Sequence, residues 1–334
     1  MMKEKIYYNT INIALNSDYK KIKALKITSW EDAWFSIKNN FPKIDPEKEF
    51  EKLNKANIKL ILSEEEDFPK SLKEMPWPPL AIYIQGSLEP SKSIAIVGTR
   101  KVTPHGKLLA KQIAKDLSAS GIQIISGLAM GVDESAHSGT LEGNGKTIAV
   151  LPTGLGNIYP RQNHGLSQKI LRSGGALVSE FHFEYKPYIS SFIQRNRIVS
   201  ALSIATIVIE APEKSGALAT ARFAIEQNRE VLVVPGPANH PNYKGSHKLI
   251  REGAGLVTCA NDILEDLGIE KEEPATLFNQ VKENKITDEE KTVLEAINQL
   301  GWPVSVDKIS EVTKIQVQKA NQIIAFLTIK GILK

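Results

Sequence analysis

Short runs of apolar, largely β-branched residues recur through the middle of the chain, each followed by a stretch with helical spacing. From residue 94 to about 268 the runs are IAIVG, IQIIS, TIAVLP, ALVSEF, ATIVIEA and EVLVVPG, with a weaker LVTC near residue 256. Between them lie amphipathic stretches such as NHGLSQKILRS and ALATARFAIEQN. Continuous apolar strands are buried on both faces, and helices between them serve as connections. The pattern predicts an α/β domain, a doubly wound parallel sheet with right-handed crossovers. IKLIL and LAIYIQG, separated by the rigid MPWPPL, predict two further strands and extend this domain over 46–268.

The flanks read differently. Residues 1–45 are rich in Lys and Asn and carry helical pieces such as WEDAWFSIKNNF, which predicts a small helical region. At IEKEEPATLFNQVKENK periodicity fades and charge rises, as in a linker, placed here at 269–286. Thr287 and Glu290 then frame a capping box for DEEKTVLEAINQL. SVDKISEVTK and VQKANQIIAFLTIKGILK follow. Three helices and a short apolar tail predict a winged-helix-like domain over 287–334, with little or no wing.

The segment SIAIVGTRKVTPHGKLLAKQIAKDL, 93–117, opens like a nucleotide-binding fold. A strand turns at Gly98, Thr103 and Pro104 suit the N-cap and first helical position, and Leu108, Leu109, Ile113 and Leu117 supply an apolar face. A helix N-terminus behind a glycine turn favours an anion through its free N–H groups and its dipole. The dinucleotide fingerprint is nevertheless missing. Gly98 is followed by Thr99, Arg100 and Lys101, and the next strand closes on Ser126-Gly127 instead of an acidic residue. GNGKT at 143–147 precedes a strand, whereas a P-loop follows one, so it reads as a turn.

Other chemistries find little support. There is no G-x-S-x-G elbow and no H-E-x-x-H pair. His137, in DESAHSG, reads as a packing or capping residue, and His240 and His247 stand alone in a loop, so neither a metal nor a cofactor is expected. Cys259 is the only cysteine, which excludes an internal disulfide and cysteine-rich zinc sites. The net charge of +4 over 334 residues is compatible with nucleic acid without demanding it. No apolar run is long enough for a membrane span, and the start MMKEKIYYNT lacks a signal-peptide core. A cytoplasmic protein is expected.

What remains is position. Ligands of open α/β sheets bind outside the carboxyl ends of the strands. Those ends and the adjoining loops carry Arg100, Lys101, Arg161, Lys186, Arg195, Arg197, Lys214, Lys244 and Lys248. QRNR places Arg195, Asn196 and Arg197 just after Phe183, Tyr185, Tyr188 and Phe192. These aromatics either offer surfaces for base stacking beside phosphate-binding groups or pack the loop against the domain. The spacing leaves both open.

Taken together, AIVGTR, SGLAMGVDESAH, GKTIAVLPTGLGNIYP, GGALVSEF, FIQRNRIVSALS, VIEAPEKSGALATARFA and VPGPANHPNYKGSHKLIREGA resemble the DNA-processing protein A (DprA/Smf) family, in its order and spacing. The resemblance implies an extended Rossmann-like domain that binds single-stranded DNA without sequence preference. It implies homodimers that protect incoming DNA and load the RecA recombinase in natural transformation, and no enzyme activity. An N-terminal helical, SAM-like domain and a C-terminal winged helix are frequent in the family. Its glycine–Ser/Thr–arginine turn falls on Gly98, Thr99 and Arg100, and its Arg-Asn-Arg motif on Arg195, Asn196 and Arg197, preceded by Phe192. Lys101 and Lys244 complete the expected DNA-binding set. Where many members carry a DNA-contacting lysine, this chain has Ile189, with Lys186 close by as a substitute. Met130 replaces a common basic residue, and His247 a common asparagine.

Two other readings compete. One is a nucleotide-processing hydrolase on a related Rossmann-like fold, although APEKSGALATARFAIE lacks the paired glycines such enzymes use and offers only Glu226 nearby. The other makes the sheet a dimer scaffold and gives duplex-DNA binding to the C-terminal helices.

Overall fold

A computed structural model describes residues 2–25, 28–89, 91–269, 288–300 and 304–329. The chain divides into two compact units, Met1–Lys271 and Glu272–Lys334. The first begins with helices α1 (Met2–Ala14), α2 (Tyr19–Lys23), α3 (Trp30–Ile37) and α4 (Pro46–Lys55). Strand β1 (Ile58–Leu62), helix α5 (Lys70–Lys73) and strand β2 (Ala81–Gly86) follow. The alternating region then runs β3 (Ser93–Val97), α6 (Pro104–Ala119), β4 (Gln123–Ser126), α7 (Val132–Glu142), β5 (Thr147–Val150), α8 (His164–Arg172) and β6 (Ala176–Ser179). It continues through α9 (Ile189–Ala201), β7 (Ala205–Val208), α10 (Gly216–Glu226), β8 (Glu230–Val233), α11 (Lys244–Arg251), β9 (Gly255–Leu256) and α12 (Ala260–Asp266).

The nine strands form one sheet in the order β1-β2-β6-β5-β4-β3-β7-β8-β9. All neighbours from β6 to β9 pair in parallel, whereas β1 with β2 and β2 with β6 are antiparallel. This is a Rossmann-like fold extended by a hairpin at one edge. Strand order reverses at β3, which pairs with β4 on one side and β7 on the other, placing the switch point at their carboxyl ends. Alternate residues of β3 face opposite layers. Ile94 and Ile96 pack with Ile113, Val132 and Ile263, while Ala95 and Val97 pack with Ile198, Leu218 and Leu249.

Helix α6 starts as its sequence dictates: Thr103 Oγ1 accepts from the Gly106 N–H at 3.0 Å, with Pro104 in the first turn. Its buried face differs from the expected one. Ala110, Ile113, Ala114 and Leu117 are buried, and Leu108 is largely exposed. The i, i+3, i+4, i+7 stripe from Ala110 leaves Leu108 off the sheet side. His137 is fully buried, with Nδ1 2.7 Å from Thr147 Oγ1, and burial pushes its imidazole down to about 3. It is a neutral packing residue. GNGKT is a turn ending at β5, with Asn144 in the left-handed region at φ 57°.

The N-terminal helices cover the hairpin end of the sheet. Tyr8, Ile11, Trp30, Trp34 and Leu53 share one core with Leu60, Tyr83 and Leu177. A buried hydrogen-bond chain fixes the docking: Tyr83 donates to Asn9 Oδ1 at 3.0 Å, and Asn12 Nδ2 donates to Tyr83 at 3.0 Å. The Tyr83 hydroxyl, Asn9 Oδ1 and Asn12 Nδ2 are thereby satisfied in place, which offsets the cost of burying them, whereas Asn9 Nδ2 has no partner among the described residues.

The second unit carries α13 (Asp288–Leu300), α14 (Val306–Thr313) and α15 (Val317–Ile329) around a core of Val293, Ile297, Ile309, Ala320, Ile323 and Leu327. No strand occurs among its described residues. Most of the expected linker, Thr287 of the capping box and the end of the apolar tail lie outside the described residues. Among the described residues no helix is long and apolar enough to cross a membrane.

Candidate nucleic-acid interface

A cleft of about 270 Å³ opens at the switch point. The β3–α6 turn contributes Gly98, Thr99 and Arg100, the β4–α7 loop Gly127, Ala129 and Asp133, helix α9 Phe192, Arg195 and Asn196, and the start of α10 Lys214, Ser215 and Gly216. Each element ends here because a parallel sheet delivers all its strand-to-helix turns to one edge.

Arg100 is exposed and makes no ion pair among the described residues. Its guanidinium lies over the Phe192 ring, 4.7 Å from the centroid. Phe192 in turn meets Tyr159 edge-on at 5.5 Å. A guanidinium on a ring, held against a second ring, joins a phosphate-binding fork to an aromatic surface. Lys214 lines the same cleft and is exposed, just before the α10 N-terminus, where Ser215 Oγ accepts from the Ala217 N–H at 3.2 Å. Asn196 Nδ2 donates to the Gly216 carbonyl at 3.2 Å and bridges α9 to that terminus.

The phosphate-attracting end of α6, by contrast, is closed by the protein's own carboxylate. Glu210, at the end of the β7 run, accepts from the Thr103 N–H at 3.1 Å and from Thr103 Oγ1 at 2.5 Å. It also accepts from Asn242 Nδ2 at 2.7 Å and the Tyr243 hydroxyl at 3.1 Å. Burial would raise this carboxyl, but the hydrogen bonds from Thr103, Asn242 and Tyr243 prevail and hold it below its ordinary value. An anion already sits where the α6 dipole favours one. The helix N-terminus facing the cleft is that of α10.

The two motif arginines point inward. Arg195 is only 4% exposed, and its Nη1 donates to the Gly127 and Val150 carbonyls, which follow or end β4 and β5. A Cβ on Gly127 would stand 2.2 Å from that nitrogen, so the glycine makes room for the guanidinium. Burial pushes Arg195 down to about 10, opposed by the nearby Asp133 carboxylate. Asp133 accepts from the Gly127 and Ala129 N–H groups at 3.1 and 3.4 Å, and burial raises its carboxyl.

Arg197 is fully buried on the other side of α9. It pairs with Glu180, donates to the Trp77 carbonyl at 2.6 Å, and lies 4.3 Å from the centroid of the Trp77 ring. Arg197 thus braces α9 against Glu180 and the Trp77 segment.

Of the ten residues expected to bind DNA, the cleft therefore gathers Gly98, Thr99, Arg100, Phe192, Arg195 and Asn196. Lys101 is exposed beyond the turn, Lys244 is exposed at the start of α11, and Lys186 lines a different cavity. Ile189, at the family's lysine position, is 87% exposed. The aromatics divide: Phe192 is at the cleft, Tyr188 is half exposed, and Tyr185 is buried and stacked on Phe181 at 4.4 Å. Sequence reasoning overlooked Tyr159 and Asp133. Tyr159 sat within GNIYP, and only its meeting with Phe192 reveals its place.

Residues 59–268 match the family model for DNA recombination-mediator protein A, well over half of the chain. The chain belongs to that family. It is 41% identical over 230 residues to Protein Smf of Escherichia coli, a match covering 68% of this chain and 62% of that protein. It is 39% identical over 213 residues to DNA processing protein DprA of Bacillus subtilis, covering 63% and 71%. The match thus spans about three fifths of the length of the E. coli relative. Among solved structures, DprA of Streptococcus pneumoniae aligns with a TM-score of 0.63 at 32% identity, covering 71% of this chain and 81% of that one. DNA processing protein A of Helicobacter pylori, solved for its single-stranded DNA binding mode, aligns at 0.57 and 31%, covering 63% and 95%. These likenesses agree with the Rossmann-like sheet.

Proposed function

We propose that the chain binds single-stranded DNA at the switch-point cleft without reading base sequence, and that it acts as a recombination mediator by binding and not by catalysis. The observation that carries this reading is the Arg100 guanidinium over Phe192, with Tyr159 edge-on to that ring, in a cleft that Lys214 and the α10 N-terminus also line. A cationic fork and an aromatic surface in one cleft suit a strand that presents phosphates and bases together. The family description and the single-stranded DNA binding of the H. pylori relative support the same ligand. In this reading the protein works in the cytoplasm as a homodimer, protects incoming strands and loads RecA onto them in natural transformation.

The hydrolase reading is less well supported. Glu226 ends α10, at the far end from the cleft, and Asp133 is the one carboxylate among the cleft's lining residues, where backbone N–H groups already hold it. Electrophoretic shifts with single strand, duplex and free nucleotides, together with a nucleotide-release assay, test the assignment. Single-strand binding without product release is expected. Release of base or phosphate, or a folded protein that ignores single strands, overturns it.

A further inference from the structure

Lys186 lines a second cavity, of about 890 Å³, with Arg161, His164, Tyr159, Gln168 and Phe183. Arg161, His164 and Lys186 are all exposed, none enters an ion pair among the described residues, and no carboxylate lines the cavity. The neighbouring Lys52 is engaged by Glu49 and Glu184, at 2.8 and 3.3 Å, so the acid closest in sequence to Lys186 on that side is already paired. One solvated lysine is ordinary, but Arg161 and Lys186 on a concave surface whose lining carries no carboxylate focus a positive potential. Gly156 leaves the Phe183 ring open to the cavity, since a Cβ there would stand 2.9 Å from Cζ.

A small recess shares lining residues with both cavities. It is lined by Arg100, Met130, Tyr159 and Phe192, of which Arg100 and Phe192 also line the switch-point cleft and Tyr159 the second cavity. A strand leaving the cleft past the Tyr159 ring meets Arg161 and Lys186 next.

From the shared Tyr159 and the unpaired cations we propose that the Arg161–His164–Lys186 cavity is a second subsite for the same strand, taking the phosphodiester segment adjacent to the one in the cleft. Arg161 and Lys186 engage its phosphates, and Tyr159 or Phe183 offers a face to a base. The inference rests on the single-stranded DNA reading above.

The test compares the full chain, Arg100→Ala, and the double variant Arg161→Ala/Lys186→Ala on oligothymidylates of about 4 and about 16 nucleotides, the range of site sizes of single-strand-binding folds. The double variant is expected to match the unchanged chain on the short strand and to bind the long one about tenfold more weakly. Its salt slope on the long strand should be shallower by about 1.4, the release from two phosphates on a single strand. Melting serves as a control, since both side chains are exposed. Equal affinity of the double variant and the unchanged chain for the long strand overturns the subsite, and so does an equal loss on both lengths. Loss of binding to a free nucleoside monophosphate, with strands unaffected, overturns it in favour of a separate small-ligand site. If the unchanged chain binds neither strand, or Arg100→Ala binds both normally, it is the cleft assignment that fails.

Discussion

Arg197 offers the sharpest separation of a bracing role from a DNA-binding one. Its guanidinium has no exposed surface to offer a strand, and it is held by Glu180, the Trp77 carbonyl and the Trp77 ring. Replacing it by Met keeps much of the volume and strips Glu180 of its partner. Breaking a buried pair from one side costs about 3–5 kcal/mol, because the remaining charge stays uncompensated. For a unit of this size each kcal/mol lowers Tm by about 2–4 °C, so a fall of roughly 6–20 °C is expected. Replacing Glu180 by Leu in the same chain should recover a large part of the loss, since removing both charges removes the uncompensated one, and the double-mutant cycle isolates the coupling.

The pH dependence carries its own sign. Burial already raises the Glu180 carboxyl, and Arg197 is what pulls it back. Without Arg197 the folded-state value rises further above the unfolded one. Stability is then fully present below the unfolded value and is lost as pH rises through the folded one. The deficit of Arg197→Met relative to the unchanged chain should be small near pH ~4 and largest near pH ~8, as read from urea unfolding at both. An Arg197→Met protein that melts normally but has lost single-strand binding would refute the brace and return this guanidinium to the strand.

The other predictions concern the cleft and the tail. Arg100→Ala is expected to weaken single-strand binding roughly tenfold to a hundredfold, the worth of one charge-assisted hydrogen bond, with unchanged melting; Arg100→Lys should recover only part, because ammonium keeps the charge and loses the fork. Anisotropy titrations on both variants check this, and normal binding by Arg100→Ala contradicts it. Affinity for mixed-sequence single strands should vary little with sequence but fall with salt, at about −0.7 in log–log slope per phosphate neutralised; a flat response argues against a backbone grip. Deleting 287–334 should leave the unit Met1–Lys271 folded and still able to bind single strands, as circular dichroism and a mobility shift would report.

The sheet was legible because strands buried on both faces must be continuously apolar; eight of the nine runs form strands of four to six residues, while LVTC gives only Leu256 to the short β9. Turn and cap chemistry at Gly98, Thr103 and Pro104 was legible for the same local reason. Leu108 was misplaced because composition marks an apolar residue without fixing the helix's rotation, which Ala110, Ile113 and Leu117 set together. The motif arginines show a deeper limit. Charge and spacing set Arg195 and Arg197 together in one basic motif, but they lie two apart on a helix and so face different directions. What each guanidinium meets depends on Gly127, Val150, Glu180 and Trp77, which come from four distant parts of the chain. Tyr159 was invisible for the same reason.

The closed end of α6 accounts for both the missing dinucleotide fingerprint and the arginine that stands in it. A free dinucleotide needs its pyrophosphate against the first helix of the fold, with glycines allowing the backbone to approach. Here Glu210 occupies that terminus, and a Cβ on Gly106 would stand 2.1 Å from its Oε1, so the glycine serves an internal anion and no ligand. With that position filled, the sheet edge keeps only the α10 terminus and the side chains around it. Arg100, at the exposed lip, can reach outward, and its fork suits phosphate oxygens passing along the rim better than one buried at a helix end. Glu210, Asn242 and Tyr243 fill the space at the α6 terminus that a dinucleotide's pyrophosphate would need, and they stand outside the lining of the cleft of about 270 Å³. If the proposed function holds, a nucleotide site becomes a strand site without a new fold, by turning a carboxylate inward and a guanidinium out.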